Sequence, residues 1–420
     1  MKHFVVKILN LLARRTVKRF RPKVVGITGS VGKTSTKEAV LCVLKNSFNT
    51  RANVGSYNNE FGLPLTILGF SSPGKNIFKW VPIIFRSFVS LFQKDYPEIL
   101  VLEMGADKPG DIKSLLAIIG KLDVAVITDI GISHLEKYPN FESLSAEKMS
   151  IVEGLEIDGT VVLNCDNPEL SKQLPKIATN KISYGLTKGD LMASGVSVTG
   201  KTETSGLSFD LNYRGKTVPC LLPGSLGLPN VYAAMAAVSV ALAMGLSLEQ
   251  AALNLKNFSG PAGRLKLLKG IKRTWIIDDT YNAAPASTLA ALDVLNQISD
   301  SRKIAVLGGM EELGSENISG HKQVAEKLDL IKASVAVLVG NKGRIIQEEL
   351  MRRKFAGKIL WFETSDDAKL PVQELIAEGD TILIKGSQAA RMEKVVKEIM
   401  AQPMLAEKLL VRQSETWLKK

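Results

Sequence analysis

The chain has 420 residues, enough for two or three domains, and its 45% hydrophobic and 23% charged content excludes a wholly disordered, collagen-like or disulfide-built protein. The formal net charge is +12, but residues 1–23 hold eight Lys or Arg and no acid, so the rest carries only about +4. Basicity alone therefore makes no case for nucleic acid, and no aromatic–basic interleaving suited to single strands is present. Cys42, Cys165 and Cys220 are far apart without a CxxC pair, which fits a reducing, cytosolic setting; three histidines argue against a His-built zinc site.

Residues 4–20 place Phe4, Val5, Ile8, Leu9, Leu12 and Thr16 at helical spacing, with Phe20 one turn on and Arg14, Arg15, Lys18 and Arg19 on the other side. This pattern predicts a basic amphipathic helix over residues 1–22 that packs on the body, with weak membrane-surface contact as the alternative. A second apolar stretch, 77–92, is interrupted by Lys79, Pro82 and Arg86. It reads first as a buried helix, with a lid or a membrane-touching partner of the first helix as alternatives. No run is long enough to span a bilayer.

"KVVGIT" (23–28), "EILVLEM" (98–104) and "VAVITDI" (124–130) read as buried parallel strands with helical patterns between them. Residues 181–222 switch to short alternating strands with Gly-containing turns, and an Ala-rich helix follows at 231–245. From about residue 265 the strand–helix rhythm restarts. Two α/β domains joined near Gly263 are the natural parse.

The strongest local signal is a phosphate loop. The strand 23–28 runs into Gly29-Ser30-Val31-Gly32-Lys33-Thr34-Ser35, then a helix starts. Glycines let backbone N–H groups converge on phosphate oxygens, and a helix N-terminus adds positive potential. Lys33 would reach the β/γ-phosphates and the Thr34 hydroxyl would hold Mg²⁺. Ile27 stands where the usual GxxxxGK[ST] pattern has glycine, so this is a GxxGKT variant. The fold class expected is α/β: a P-loop ATPase domain with a mostly parallel sheet, followed by a Rossmann-like α/β domain.

Eleven blocks then occur in a fixed order: "TGSVGKTS" (28–35), "NNEFGLPLT" (58–66), "LEMGA" (102–106), "TDIGISHLE" (128–136), "AEKMSIVEGL" (146–155), "LNCDNP" (163–168), "PNVYAAMAA" (229–237), "GRLK" (263–266), "DDTYNAAPAS" (278–287), "LGGMEELG" (307–314) and "IKGSQAARMEKVV" (384–396). In this series the sequence resembles the Mur ligases over residues 23–400. Beyond the N-terminal helix (1–22) read from its spacing, the resemblance implies a central ATP-binding domain (23–262) and a C-terminal ligase domain (263–420).

It also implies site residues. Glu103, at a strand end, becomes a Mg²⁺ ligand beside Thr34, and His134 a ligand of a second Mg²⁺. Lys148, on the residues alone a solvated helix lysine, becomes a carbamylated lysine, an anionic oxygen ligand for Mg²⁺. Asn230 lies on the nucleotide side and doubles as a helix N-cap. Arg264, at the domain junction, would bridge to the γ-phosphate, and Asp279 lies near the ribose. Tyr281 and Asn282 shape the nucleotide pocket. Asn58 and Asn59 lie near the acyl substrate. Lys385, Gly386 and Ser387 orient the amine.

The activity implied is an ATP-dependent, ADP-forming amide ligase working through an acyl phosphate in peptidoglycan precursor synthesis. Its partners are small molecules, a UDP-MurNAc-peptide as acyl acceptor and D-Ala-D-Ala as amine, and a cytoplasmic monomer is expected. Three departures stand out. Only 22 residues precede the first strand, where the family has a UDP-holding domain; Ala284 replaces an Asn; and Gly309 replaces an Asp. A same-fold ligase with another acceptor, of the folylpolyglutamate or cyanophycin type, is the alternative. A membrane-associated nucleotide-binding regulator is a rival from another class, against which intact Lys33, Glu103, His134, Lys148 and Arg264 argue.

Overall fold

The computed structural model describes residues 2–53, 57–74, 80–131, 137–199, 206–299, 302–311 and 313–419. They form two compact units. The first comprises Met1–Ser197, Ser208–Leu222 and Leu228–Phe258; the second comprises Val198–Leu207, Pro223–Gly227 and Ser259–Lys420.

The first unit is built on parallel strands. β1 (Lys23–Thr28), β2 (Thr50–Ala52), β3 (Ile99–Glu103), β4 (Leu122–Ile127), β5 (Leu155–Asn164), β6 (Asn180–Gly185) and β7 (Leu191–Thr199) pair in the order β2-β3-β1-β4-β5-β6-β7. β8 (Gly206–Tyr213) and β9 (Lys216–Pro223) extend that sheet to nine strands. β1 and β3 are buried almost throughout, as continuous apolar runs in a covered parallel sheet must be. The register sets Ile27 beside Glu103 and Thr28 beside Ile127, so three strands end at one edge. Ligands gather at such an edge in open α/β sheets.

The helices of this unit are α1 (Lys2–Phe20), α2 (Lys33–Leu44), α3 (Gly62–Leu68), α4 (Trp80–Ser90), α5 (Asp111–Ile119), α6 (Phe141–Met149), α7 (Pro168–Gln173), α8 (Leu228–Ala243) and α9 (Leu248–Leu255). α1 lies against α3 and α5 and sinks Leu9, Leu12 and Ala13 into the same core as Leu63, Leu100 and Ile112. Its charged side stays outside.

The second apolar stretch differs from the expectation of burial. Residues 77–79 lie outside the described residues. In α4, Ser87 is the buried residue, while Val81, Phe85, Phe88 and Val89 are exposed. The helix is apolar nearly all round, and only Trp80, Ile83 and Ile84 find core to pack against.

The second unit holds β10 (Lys266–Lys269), β11 (Trp275–Asp279), β12 (Lys303–Gly308), β13 (Val335–Val339), β14 (Lys358–Phe362) and β15 (Thr381–Lys385) in the order β10-β11-β15-β12-β13-β14. All pairs are parallel except β10 with β11. Its helices are α10 (Pro285–Ile298), α11 (Asn317–Leu330), α12 (Gly343–Arg352), α13 (Ser365–Leu375), α14 (Glu393–Ile399), α15 (Ala406–Leu409) and α16 (Glu415–Leu418). The sheet is lined by two cores, one around Leu292, Leu307 and Leu338, the other around Ile276, Val306 and Val395. Both units are α/β, as the strand–helix rhythm requires.

Candidate active site

In the first unit the loop between β1 and α2 depends on two glycines. Gly29 has φ +149°, and a Cβ there would stand 2.1 Å from Thr128 Oγ1. Gly32 has φ +83° at the N-cap of α2 and offers no capping side chain. The positive end of α2 therefore lies at the loop. Lys33 Nζ donates to Gly29 O at 2.6 Å and to Ser30 O at 3.3 Å, which keeps the ammonium over the loop. Ser30 joins the loop to the segment after β4: its Oγ accepts from Gly131 N at 2.9 Å, and its N–H donates to Asp129 O at 2.9 Å. Ser35 is buried in the first turn of α2.

Glu103, at the end of β3, is buried and held from several directions. Thr34 Oγ1 donates to its Oε2 at 3.1 Å, and Asn58 Nδ2 donates to its Oε1 at 3.0 Å. Asn53 Oδ1 accepts from the Glu103 N–H at 2.6 Å, and Asn53 Nδ2 donates to Glu103 O at 3.2 Å. Asn59 is used differently, since its Oδ1 accepts from Phe61 N and Gly62 N and starts α3. Asn53 was not foreseen, because its neighbours gave no sign that its side chain brackets a strand end.

Lys148 is buried, not solvated. α6 begins at Asn140, whose side chain accepts from Ser143 N, and its last turn carries Lys148 inward. Burial, with the nearby Lys33 cation, pushes the Lys148 amine down to about 8, against the pull of Asp129. Burial conversely pushes the Asp129 carboxyl up, although Asn167 Nδ2 donates to it at 2.7 Å and Lys148 and Lys33 attract its charge. Asp129 is a second unforeseen group; its signal was an acid closing the strand of "TDIGISHLE". His134 lies outside the described residues. Asn230 is buried in the first turn of α8, two residues past the start at Leu228, so it is not the N-cap.

The oxygens of Thr34 and Glu103 suit a hard cation such as Mg²⁺, which keeps several waters or phosphate oxygens of its own. Among the described residues no cluster of three His, Cys, Asp or Glu could hold a metal ion.

The second unit brings together Arg264, Asp279, Tyr281, Asn282 and Lys385. β11 and β15 set Asp279 beside Lys385 in register. Lys385 Nζ donates to Asp279 Oδ2 at 2.6 Å and to Asn282 O at 2.9 Å. Asp279 Oδ1 accepts from Leu265 N at 3.2 Å, while Asp278 Oδ2 accepts from Gly263 N at 3.1 Å. The two adjacent aspartates thus brace the backbone on either side of Arg264, whose guanidinium lies 4.0 Å from the Tyr281 ring centroid. Asp278 is fully buried, and burial raises its carboxyl to about 6. Arg412, also unforeseen, donates to Thr280 O at 2.9 Å, to Tyr281 O, and to Glu393 Oε2 at 3.2 Å. Gly386 and Ser387 follow β15; Ser387 N donates to Gly309 O at 3.1 Å, and its buried Oγ has no hydrogen-bond partner among the described residues.

A family model described as the Mur ligase middle domain matches residues 27–240, and one for the Mur ligase glutamate ligase domain matches residues 263–388. The UDP-N-acetylmuramoyl-tripeptide–D-alanyl-D-alanine ligase of Bacillus subtilis is 30% identical over 398 residues, 94% of this chain and 80% of that protein. The protein of the same name from Escherichia coli is 29% identical, over 90% of this chain and 76% of its own length. Among solved structures, MurF from Acinetobacter baumannii has a TM-score of 0.76 at 27% identity, covering 92% of this chain and 79% of that one. The MurF ligase of Thermotoga maritima, solved in complex with ADP, has a TM-score of 0.77 at 27% identity and covers 94% and 83%. With the middle-domain match alone spanning half the sequence and a 30% identical relative aligned along nearly all of it, the chain belongs to the Mur ligase family.

Proposed function

We propose that the protein is an ATP-dependent ligase that joins D-Ala-D-Ala to a UDP-MurNAc-peptide, forming a peptidoglycan precursor with release of ADP and phosphate. The observation that carries this reading is the grouping of Lys33, Thr34 and Glu103 at one strand edge, with the buried Lys148 close enough to Lys33 to feel its charge, in a chain similar over 94% of its length to a ligase of that name. The γ-phosphoryl of ATP passes to the acceptor carboxylate, leaving ADP and an acyl phosphate. The amine of D-Ala-D-Ala attacks the acyl carbon, loses a proton, and phosphate departs as the amide forms. The chain's part is positioning and charge neutralisation.

Lys33 and the start of α2 cradle the phosphates, with Ser30, Ser35 and Asn230 around them. Thr34 and Glu103 would hold one Mg²⁺ and His134 a second, and such ions would supply neutralisation of the phosphoryl charge. Lys148 is the carbamylated residue: its neutral amine adds CO₂ and gives up a proton, becoming an oxygen donor. A buried lysine whose charged form is disfavoured suits that addition. Asn58 positions the acyl substrate through its contact with Glu103. Arg264, Asp279, Tyr281 and Asn282 are the nucleotide-binding candidates of the second unit, and Lys385 and Ser387 the amine-binding ones.

The protein works as a cytoplasmic monomer, with weak peripheral contact to the inner membrane face through residues 1–22. A second reading, a same-fold ligase with another amine or acceptor, draws on Gly309: a Cβ there would stand 2.8 Å from Lys342 Cβ, leaving little room for the family's acidic side chain. A substrate panel separates the two. ADP release with UDP-MurNAc-tripeptide should require D-Ala-D-Ala; equal or faster release with single amino acids, or with a folate or polyaspartate acceptor, would favour the second reading.

A further inference from the structure

The outer face of α4 has no part in the chemistry above. Val81, Phe85, Phe88 and Phe92 recur at i, i+4, i+7 and i+11, so they line one side of the helix and its continuation. They are 64%, 67%, 48% and 68% exposed. Folded monomers seldom leave such a stripe to water without a use for it. Ile8 and Leu12 of α1 meet Val81, Ile84, Phe85 and Phe88 around an apolar groove of about 420 Å³, so the two helices share one surface. Phe20, at the end of α1, stacks on Tyr96 at 4.6 Å and ties the helix to the segment that follows α4.

The charged side chains of α1 and α4 themselves are all cations, although Asp123 and Glu156 line a groove beside Arg14 and Lys18. Lys7, Arg14, Arg15, Lys18 and Arg19 are exposed along α1, as is Arg86 on α4. No Asp or Glu occurs before Glu38, nor between Phe61 and Lys94. No helix among the described residues is long and apolar enough to cross a membrane. An aromatic stripe beside an acid-free cationic helix is the chemistry of binding at a lipid–water interface. A second copy of the chain is a poorer occupant, because two such faces would set cations against cations.

We propose that the α1–α4 face docks the protein on an anionic lipid surface, Phe85, Phe88 and Phe92 entering the headgroup–acyl boundary and the α1 cations meeting the lipid charge. This rests on the peripheral contact proposed above and reassigns its agent: Leu9, Leu12 and Ala13 of α1 are spent in the core, so insertion falls to α4.

Co-sedimentation of the full chain with phosphatidylglycerol–phosphatidylcholine vesicles, and with phosphatidylcholine alone, tests it. The comparison set is Phe85→Ser/Phe88→Ser/Phe92→Ser and Arg14→Gln/Arg15→Gln/Lys18→Gln. Both triples change exposed side chains, and circular dichroism with vesicle-free ligase activity reports that each has folded. Wild type should bind the anionic vesicles in a salt-sensitive way, and each triple should lower partitioning by about tenfold or more with solution activity unchanged. If only the charge triple loses binding, contact through residues 1–22 survives and insertion by α4 is overturned. Binding equal on neutral vesicles overturns the role of charge. Wild type left in the supernatant at low salt overturns both readings, and vesicle-independent self-association abolished by the Phe triple overturns lipid in favour of a second copy.

Discussion

The Thr34 hydroxyl donates to Glu103 Oε2 across 3.1 Å, so the first turn after the phosphate loop is tied to the end of the neighbouring strand. Both oxygens would be available to a hard cation such as Mg²⁺. Glu103→Gln keeps the shape but removes the charge. ADP release should fall about 100-fold or more, with a raised Mg²⁺ requirement and unchanged melting. Titration of activity with Mg²⁺ checks this; a variant that saturates like wild type would remove Glu103 from the metal site.

Lys148 should act as an anion rather than a cation. Lys148→Arg retains positive charge but forms no carbamate, so it should be nearly inactive. Lys148→Ala should regain part of its activity with added short carboxylates, which supply oxygen ligands. Turnover assays with and without acetate decide, and an active Arg variant would contradict the assignment.

Gly29→Ala places a Cβ 2.1 Å from Thr128 Oγ1 at a backbone φ of +149°. The loop must shift, at a cost on the order of 1–3 kcal/mol. ATP affinity measured by calorimetry should fall at least about tenfold while the circular dichroism spectrum persists. Wild-type affinity would show that the loop's shape does not govern nucleotide binding.

Much of this architecture is legible in residues 23–28 and 98–103, because a parallel strand covered on both faces must be apolar throughout. The phosphate loop is legible for a related reason, since few residues but glycine tolerate the backbone at Gly29 and Gly32. Lys148 is different. On the residues alone it is one more helix lysine, and only the inward turn of α6 makes it a buried amine. The exposure of α4 was equally hidden, because hydrophobic residues say that a surface wants covering, not by what. Arg412 lies beyond every recognisable block, and its contacts with Thr280, Tyr281 and Glu393 arise from the course of the C-terminal segment.

Asp278 gives the protein a defined pH signature. Its carboxyl is raised by burial from an ordinary value near 4 to about 6, so between those values the folded state holds more protons than the unfolded one. Stability from this group is therefore full below about pH 4 and is lost as pH rises through about 6, by up to about 3 kcal/mol. Asp278→Asn should remove that slope. Urea midpoints for both proteins across this range should show the wild type losing stability relative to the variant as pH rises; parallel curves would contradict the assignment.

Arg412→Lys cannot bridge Thr280, Tyr281 and Glu393 with one planar fork. The segment after β11 that carries Tyr281 should loosen, raising KM for ATP by about tenfold with a smaller change in kcat. Steady-state kinetics check this, and an unchanged KM would confine Arg412 to folding.

Product stoichiometry tests ATP-driven amide synthesis by this protein directly. Purified protein is incubated with ATP, Mg²⁺, UDP-MurNAc-tripeptide and D-Ala-D-Ala, and ADP, phosphate and peptide product are quantified by chromatography and mass spectrometry. Equal amounts of all three are expected, with a product heavier than the tripeptide by D-Ala-D-Ala less water, and none of them in a Lys33→Ala variant. ADP formed without an amide product, or amide formed without ADP, would contradict it.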